Sequence, residues 1–198
     1  MADILTSFGT IAGTIFLAEL VDKDAFLLIT VSTKMRAHIA FLAGVTAFVM
    51  TTTLFVTLGT VLVAFVPVYW VRLAGGVVML GYGLWEARSL VGLREVEREE
   101  AKVERSGSPW KAFLALVAAL ALLDLAGDAT EVLTIVFVAR YAEPLLVFLG
   151  ACTGLICADV VETTLGSRLG KILTPERLRY FSAVVFLALG ASIIVLSP

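Results

Sequence analysis

Long apolar stretches alternate with short polar ones along the whole chain. The stretches run from about Leu5 to Thr33, Ile39 to Val66, Val71 to Val91, Lys111 to Val138, Pro144 to Leu169 and Leu178 to Leu196. Each is about as long as the roughly 20 residues an α-helix needs to cross the hydrocarbon core of a bilayer. None alternates with the period of two that a membrane barrel strand requires. The pattern therefore predicts an all-α fold of six membrane helices, the first and the fourth each continuous. The polar turn Lys34–His38 separates the first two, and Pro67 stops the second. The segment Arg94–Arg105 alternates charge at helical spacing and ends in the breaker Ser106-Gly-Ser-Pro109. It reads as a short solvated helical linker. The domain reading is a first three-helix unit over 1–93, the linker over 94–109, and a second three-helix unit over 110–198.

Composition agrees. The chain has 198 residues, of which 60% are hydrophobic, and its mean hydropathy is +0.99. Soluble domains are about 45–50% apolar. Met1-Ala-Asp-Ile lacks the basic start of a signal peptide, so the first run reads as a membrane helix. With no basic, aromatic-rich patch, nucleic acid is not expected as a partner. Cys152 and Cys157 read as small core residues, and with no His near them zinc is disfavoured. There is no Ser/His or metal-hydrolase constellation, so an enzyme is not expected.

Basic residues fix an orientation. Lys34 and Arg36 follow the first helix. Arg94, Arg98, Lys102, Arg105 and Lys111 follow the third, and Arg168, Lys171, Arg177 and Arg179 follow the fifth. These loops share one side, which the positive-inside rule makes cytoplasmic. Both termini are then outside.

The two halves resemble each other. Asp22 and Asp128 are 106 residues apart, as are Lys34 and Arg140. One residue further in register, Thr57-Leu-Gly59 aligns with Thr164-Leu-Gly166, Arg72 with Arg179 and Gly83 with Gly190. Three helices per repeat is an odd number, so the second copy enters from the opposite side. Inverted repeats with a site at their interface are a transporter signature.

Carboxylates inside these spans carry the chemistry. Glu19 and Asp22 are one turn apart. Asp124, Asp128 and Glu131 are spaced to share one face of a continuous helix, and Asp159 and Glu162 share another. With Asp24, on a different face from Asp22, they set eight acids against the one deep basic residue, Lys23. A charge at a helix centre costs about 2.5–3.5 kcal/mol even on the lenient insertion scale. Some acids must therefore be protonated and others must share a cation. Close carboxylates raise one another's proton affinity, so protons and cations compete for the same oxygens. Carboxylate and hydroxyl oxygens suit Ca²⁺, Mg²⁺ or Mn²⁺. Thr130, Thr163, Thr164 and Thr51–Thr53 are candidate neutral donors, although threonines within helices commonly bond back to their own carbonyls. For Asp159 and Glu162 the spacing leaves two readings open, membership of the site or contact with water at a helix end.

Phe16-Leu-Ala-Glu19-Leu-Val-Asp22-Lys23-Asp24 resembles the E-x-G-D-(K/R)-(S/T) signature of the manganese/calcium cation–proton exchangers of Golgi and bacterial membranes. Leu125-Ala-Gly127-Asp128-Ala129-Thr130-Glu131 is similar to a second, degenerate copy, and Gly75–Trp85 is similar to the family's third helix. Val21 and Asp24 depart from the first motif, and Leu125 and Ala129 from the second. Asp124 stands one residue before the missing glutamate. The resemblance implies a multi-pass protein of a prokaryotic cell membrane that exchanges Mn²⁺ or Ca²⁺ for protons. The expected cation ligands are Glu19, Asp22, Asp124, Asp128, Thr130 and Glu131. Lys23, Asp24, Asp159 and Glu162 are candidates for proton coupling or support. The expected partners are a divalent cation, protons and lipid, with a homodimer as the candidate assembly and no cofactor. The competing readings are an exporter of another small solute and a membrane scaffold with structural acids.

Overall fold

The computed structural model describes residues 2–88, 91–126, 128–172 and 175–195. Gly127 of the second motif lies outside the described residues. So do the side chains of Arg94, Arg168, Lys171, Arg177 and Arg179, which enter the orientation rule. Among the described residues all regular structure is helical: α1 (Ala2–Glu19), α2 (Lys23–Lys34), α3 (Ala37–Phe65), α4 (Val68–Arg88), α5 (Val91–Glu104), α6 (Pro109–Leu125), α7 (Ala129–Tyr141), α8 (Pro144–Ile172) and α9 (Pro175–Val195).

The helix ends follow local rules. Pro67 cannot continue a helix and restricts Val66, which closes α3 in an extended conformation. Ser108 caps α6 by accepting from the Lys111 N–H at 3.3 Å, with Pro109 in the first turn. Ala142 ends α7 in the left-handed region, φ 54°, two residues before Pro144 opens α8.

The first and fourth runs correct the expectation of unbroken helices. The first divides into α1 and α2, bent by 67°, and the fourth into α6 and α7, bent by 61°. The breaks fall at Asp22 and Asp128, whose side chains accept from the next backbone N–H and so cap α2 and α7. An aspartate that caps a new helix competes with continuation of the old one, which the apolar run alone does not reveal. The helices α3 and, over Pro144–Thr164, α8 are unbroken and apolar enough to cross a membrane, and each bent pair passes the same test taken together.

Packing exchanges elements between the halves. α1 and α2 lie on α8, as α6 and α7 lie on α3, and α4 packs along α9. The buried centre includes Ile11, Ile15, Leu27, Leu28, Leu116, Leu120 and Leu133. Leu54, Leu58, Phe65, Val184 and other large apolar residues face outward, as a lipid-exposed surface requires. Cys152 is buried, but Cys157 is exposed, which corrects its reading as a core residue. The charged linker is also more than a solvated spacer. Val96 and Val103 are buried, and α5 packs on both α2 and α6. Lys34 at the end of α2 reaches Glu100 and Glu104 of α5, each at 2.5 Å. A cavity of about 340 Å³ between these elements is lined by Lys34, Val103, Pro109 and Ala112 among others.

The α1–α8 contact depends on a missing side chain. A Cβ on Gly154 would sit 2.5 Å from the Ala12 carbonyl oxygen and 3.0 Å from the Phe16 nitrogen, both backbone atoms. Gly81 has nothing within 4 Å of such an atom. Gly154→Ala is therefore expected to destabilise the protein by about 1–3 kcal/mol through overpacking. Gly81→Ala should gain up to about 1 kcal/mol from helix propensity. Thermal unfolding in detergent measures both, and the two midpoints should move in opposite directions.

Candidate functional site

Each break delivers an aspartate to the same place. Asp22 Oδ1 accepts from the Lys23 N–H at 2.5 Å and from the Tyr82 hydroxyl at 3.3 Å. Asp128 Oδ1 accepts from the Ala129 N–H at 2.5 Å, and its Oδ2 accepts from the Thr130 hydroxyl at 3.0 Å. Both aspartates are buried, and their carboxyl groups face each other. The exposed amides at the starts of α2 and α7 supply partial positive charge, which favours acidic groups there.

The remaining acids surround this pair. Asp24, which the spacing sets on a different face from Asp22, meets Asp124 at the end of α6. Asp24, Asp124 and Asp128 each bring one carboxylate oxygen to within 4.8 Å of the others, and all three are buried. The bends achieve this. Asp124, Asp128 and Glu131 do not share the face of a continuous helix, because they occupy the end of α6, the cap of α7 and the first turn of α7. Glu131 is buried beside Asp124 and Thr51. Glu19, the last residue of α1, is fully buried within electrostatic reach of Asp22, Asp124, Asp128 and Glu162. Lys23 is half-buried and within reach of Asp22, Asp124 and Glu131.

Asp159 and Glu162 are both fully buried, so contact with water at a helix end is ruled out. The threonines divide. Thr130 serves Asp128, whereas Thr163 and Thr164 donate to carbonyls of their own helix, those of Asp159 and Val160. Thr51 also bonds back to Ala47 and Phe48, at 3.2 and 3.3 Å, while standing beside Asp124 and Glu131.

Two contributors escape a sequence reading. Tyr82 of α4 holds Asp22 and stacks edge-on against Phe186 of α9, ring centres 5.1 Å apart. Ser182 of α9 donates to the Val21 carbonyl inside the first break. Their only signal is a hydroxyl between apolar neighbours in the sequence.

Much of the acidity has no partner. Both oxygens of Glu19, Asp24, Asp124, Asp159 and Glu162, and Oδ2 of Asp22, are buried without a hydrogen bond among the described residues. Each such group costs free energy unless a proton or a cation satisfies it.

Broken apolar helices whose ends meet around buried acids define an ion-handling membrane protein. A family model described as divalent cation/proton antiporter GDT1 matches residues 7–92 and, a second time, residues 112–197. The chain belongs to this family of membrane transporters, which are not enzymes. Neither a search of curated proteins nor one of solved structures returns a match.

The capping and charge roles of Asp128 separate by substitution. Asparagine caps a helix about as well as aspartate, whereas alanine costs about 1 kcal/mol. Asp128→Asn also removes one of several crowded like charges. Without added metal, Asp128→Asn should be at least as heat-stable as the parent in detergent, and Asp128→Ala less stable than Asp128→Asn.

Proposed function

We propose that the chain exchanges a divalent cation, Mn²⁺ or Ca²⁺, for protons through a carboxylate clamp where the two breaks meet. Asp24, Asp124 and Asp128 form its centre. Asp22 adds its unpartnered oxygen, and Glu19, Glu131 and Thr130 flank it. The observation that carries this reading is the approach of three buried carboxylate oxygens to within 4.8 Å of one another. Such a group repels itself when empty and suits a hard cation, which takes six to eight oxygen ligands as Ca²⁺ or about six as Mg²⁺. An all-oxygen set also suits Mn²⁺ over softer metals. Tyr82 positions Asp22, and Lys23 compensates part of the negative charge when the cation leaves.

The membrane arrangement follows the same reading. α1–α2, α3 and α4 form one three-span repeat, and α6–α7, α8 and α9 form an inverted second, giving six spans. The exchanged packing between halves and the twofold family match support this. The basic loops and α5 face the cytoplasm of a prokaryotic cell, with both termini outside. Rocking of one repeat against the other would expose the clamp to each side in turn.

Reconstituted into liposomes, the parent should move protons in response to Mn²⁺ or Ca²⁺ gradients. Asp22→Asn and Asp128→Asn should lower that flux by about tenfold or more, the scale expected when a ligand charge is lost. Flux in these variants equal to the parent's would exclude the clamp. Transport of a small organic solute without any divalent-ion dependence would favour a different exporter. In detergent, metal at about 100 times its Kd should stabilise the parent by about 2.7 kcal/mol, and Asp128→Asn far less.

A further inference from the structure

α2 and α6 meet at their inner ends and are held apart at their outer ones. Asp24, in the first turn of α2, meets Asp124, in the last turn of α6. At the opposite ends, Lys34 of α2 and Pro109 and Ala112 of α6 line the same two cavities, of about 340 and 480 Å³. Lys34 and Pro109 are exposed, so these cavities open at the surface of the bundle. From there one stripe of side chains on each helix leads to the clamp. On α2 it runs through Val31, which lines the first cavity, and Leu27 to Asp24. On α6 it runs from Ala112 through Leu116 and Leu120 to Asp124. Steps of three and four keep each stripe on one helix face. Leu27, Leu116 and Leu120 are fully buried, so an apolar plug lies between the cavities and the carboxylates.

α5 straps the outer ends together. α2 and α6 touch each other less than each touches α5, which is anchored by the buried Val96 and Val103. Lys34, the last residue of α2, reaches Glu100 and Glu104, one turn apart on α5. At its other end α5 turns through Gly107, φ 68°, directly into α6. The strap is therefore covalent at α6 and ionic at α2. The Lys34 side chain is 49% exposed. Exposed ion pairs contribute little to stability and are screened by salt. Such a contact is too weak to hold the fold but suits a bridge that opens and closes in each transport cycle. We propose that the bridge from Lys34 to Glu100 and Glu104 is the latch of a gate between the clamp and the membrane face on which α5 lies, shut in this structure. When the latch opens, the end of α2 leaves α5 and the plug residues separate. Glu100 and Glu104 are then left at the mouth, where their charge draws in a cation. What passes through the gate rests on the clamp reading above.

The test measures access to the plug in lipid nanodiscs, which leave both membrane faces open to a charged maleimide. Leu116→Cys, in a chain carrying Cys152→Ala and Cys157→Ala, reports the plug. Cys152, left as the single cysteine by Cys157→Ala, reports a buried position on α8. Adding Lys34→Glu sets three like charges together and should speed labelling at position 116 by about fivefold or more, within the range of couplings between residues in contact. Labelling of Cys152 should not change. Reversing the partners as well, with Glu100→Lys and Glu104→Lys, restores the attraction and should return the rate at position 116 to the parent's. A rate in Lys34→Glu equal to the parent's would overturn the proposal. So would an equal rise at Cys152, or a rise that the charge swap does not reverse, since either marks general loosening rather than a latch. If Lys34→Glu does not fold, Lys34→Gln is read by the same criteria. Labelling needs no ion flux, so it stands apart from the clamp. Parental flux in Asp128→Asn sinks the clamp, and unchanged labelling sinks the latch.

Discussion

Everything in this fold is arranged around the cost of holding carboxylates away from water. Eight acids lie in segments whose surroundings are apolar side chains and, outside them, lipid. Two are made tolerable by breaking the helix that carries them. At Asp22 and Asp128 the chain stops one helix and starts another, and the aspartate accepts the first N–H of the new helix. The same break exposes amide ends, which favour negative charge, and turns the end of the preceding helix toward the centre. The acids of Glu19 and Asp124 arrive at the site because they are the last turns of the helices that were interrupted.

The two halves do this alike but not identically. The first break is held by Tyr82 and Ser182 from α4 and α9, and it carries Lys23 and Asp24. The second is held by Thr130 from its own helix and carries Glu131. Asp159 and Glu162 have no acidic counterpart in the first half. A duplicated frame therefore supplies the two breaks and their aspartates, and residues without a counterpart make the halves differ. α5 adds a mechanical link, because it packs on α2 and α6, the second half-helix of one break and the first half-helix of the other.

Hydropathy, the duplicated aspartates and the resemblance together made the helical membrane fold, the family and the acidic residues legible in the sequence. The helix breaks were not. The first break at Leu20–Asp22 contains no glycine or proline, and its apolar residues continue the run without interruption. Asp22 was visible as a charge but not as a cap, since capping depends on where the backbone turns. For the same reason the spacing of Asp124, Asp128 and Glu131 gave the right company by the wrong geometry. Asp24 was assigned to a different face from Asp22, yet the bend brings it against Asp124. Tyr82, Ser182 and the Gly44–Asp159 contact join helices distant in sequence, and no local pattern encodes them.

Locating the bound ion tests the central claim most directly. Crystals or frozen grids prepared with Mn²⁺ would show it by anomalous or density difference. The account predicts a peak among Asp22, Asp24, Asp124 and Asp128, between the starts of α2 and α7. A peak confined to the cavity by Lys34 and Val103, or to the acidic surface of α5, with none between the breaks, would contradict it.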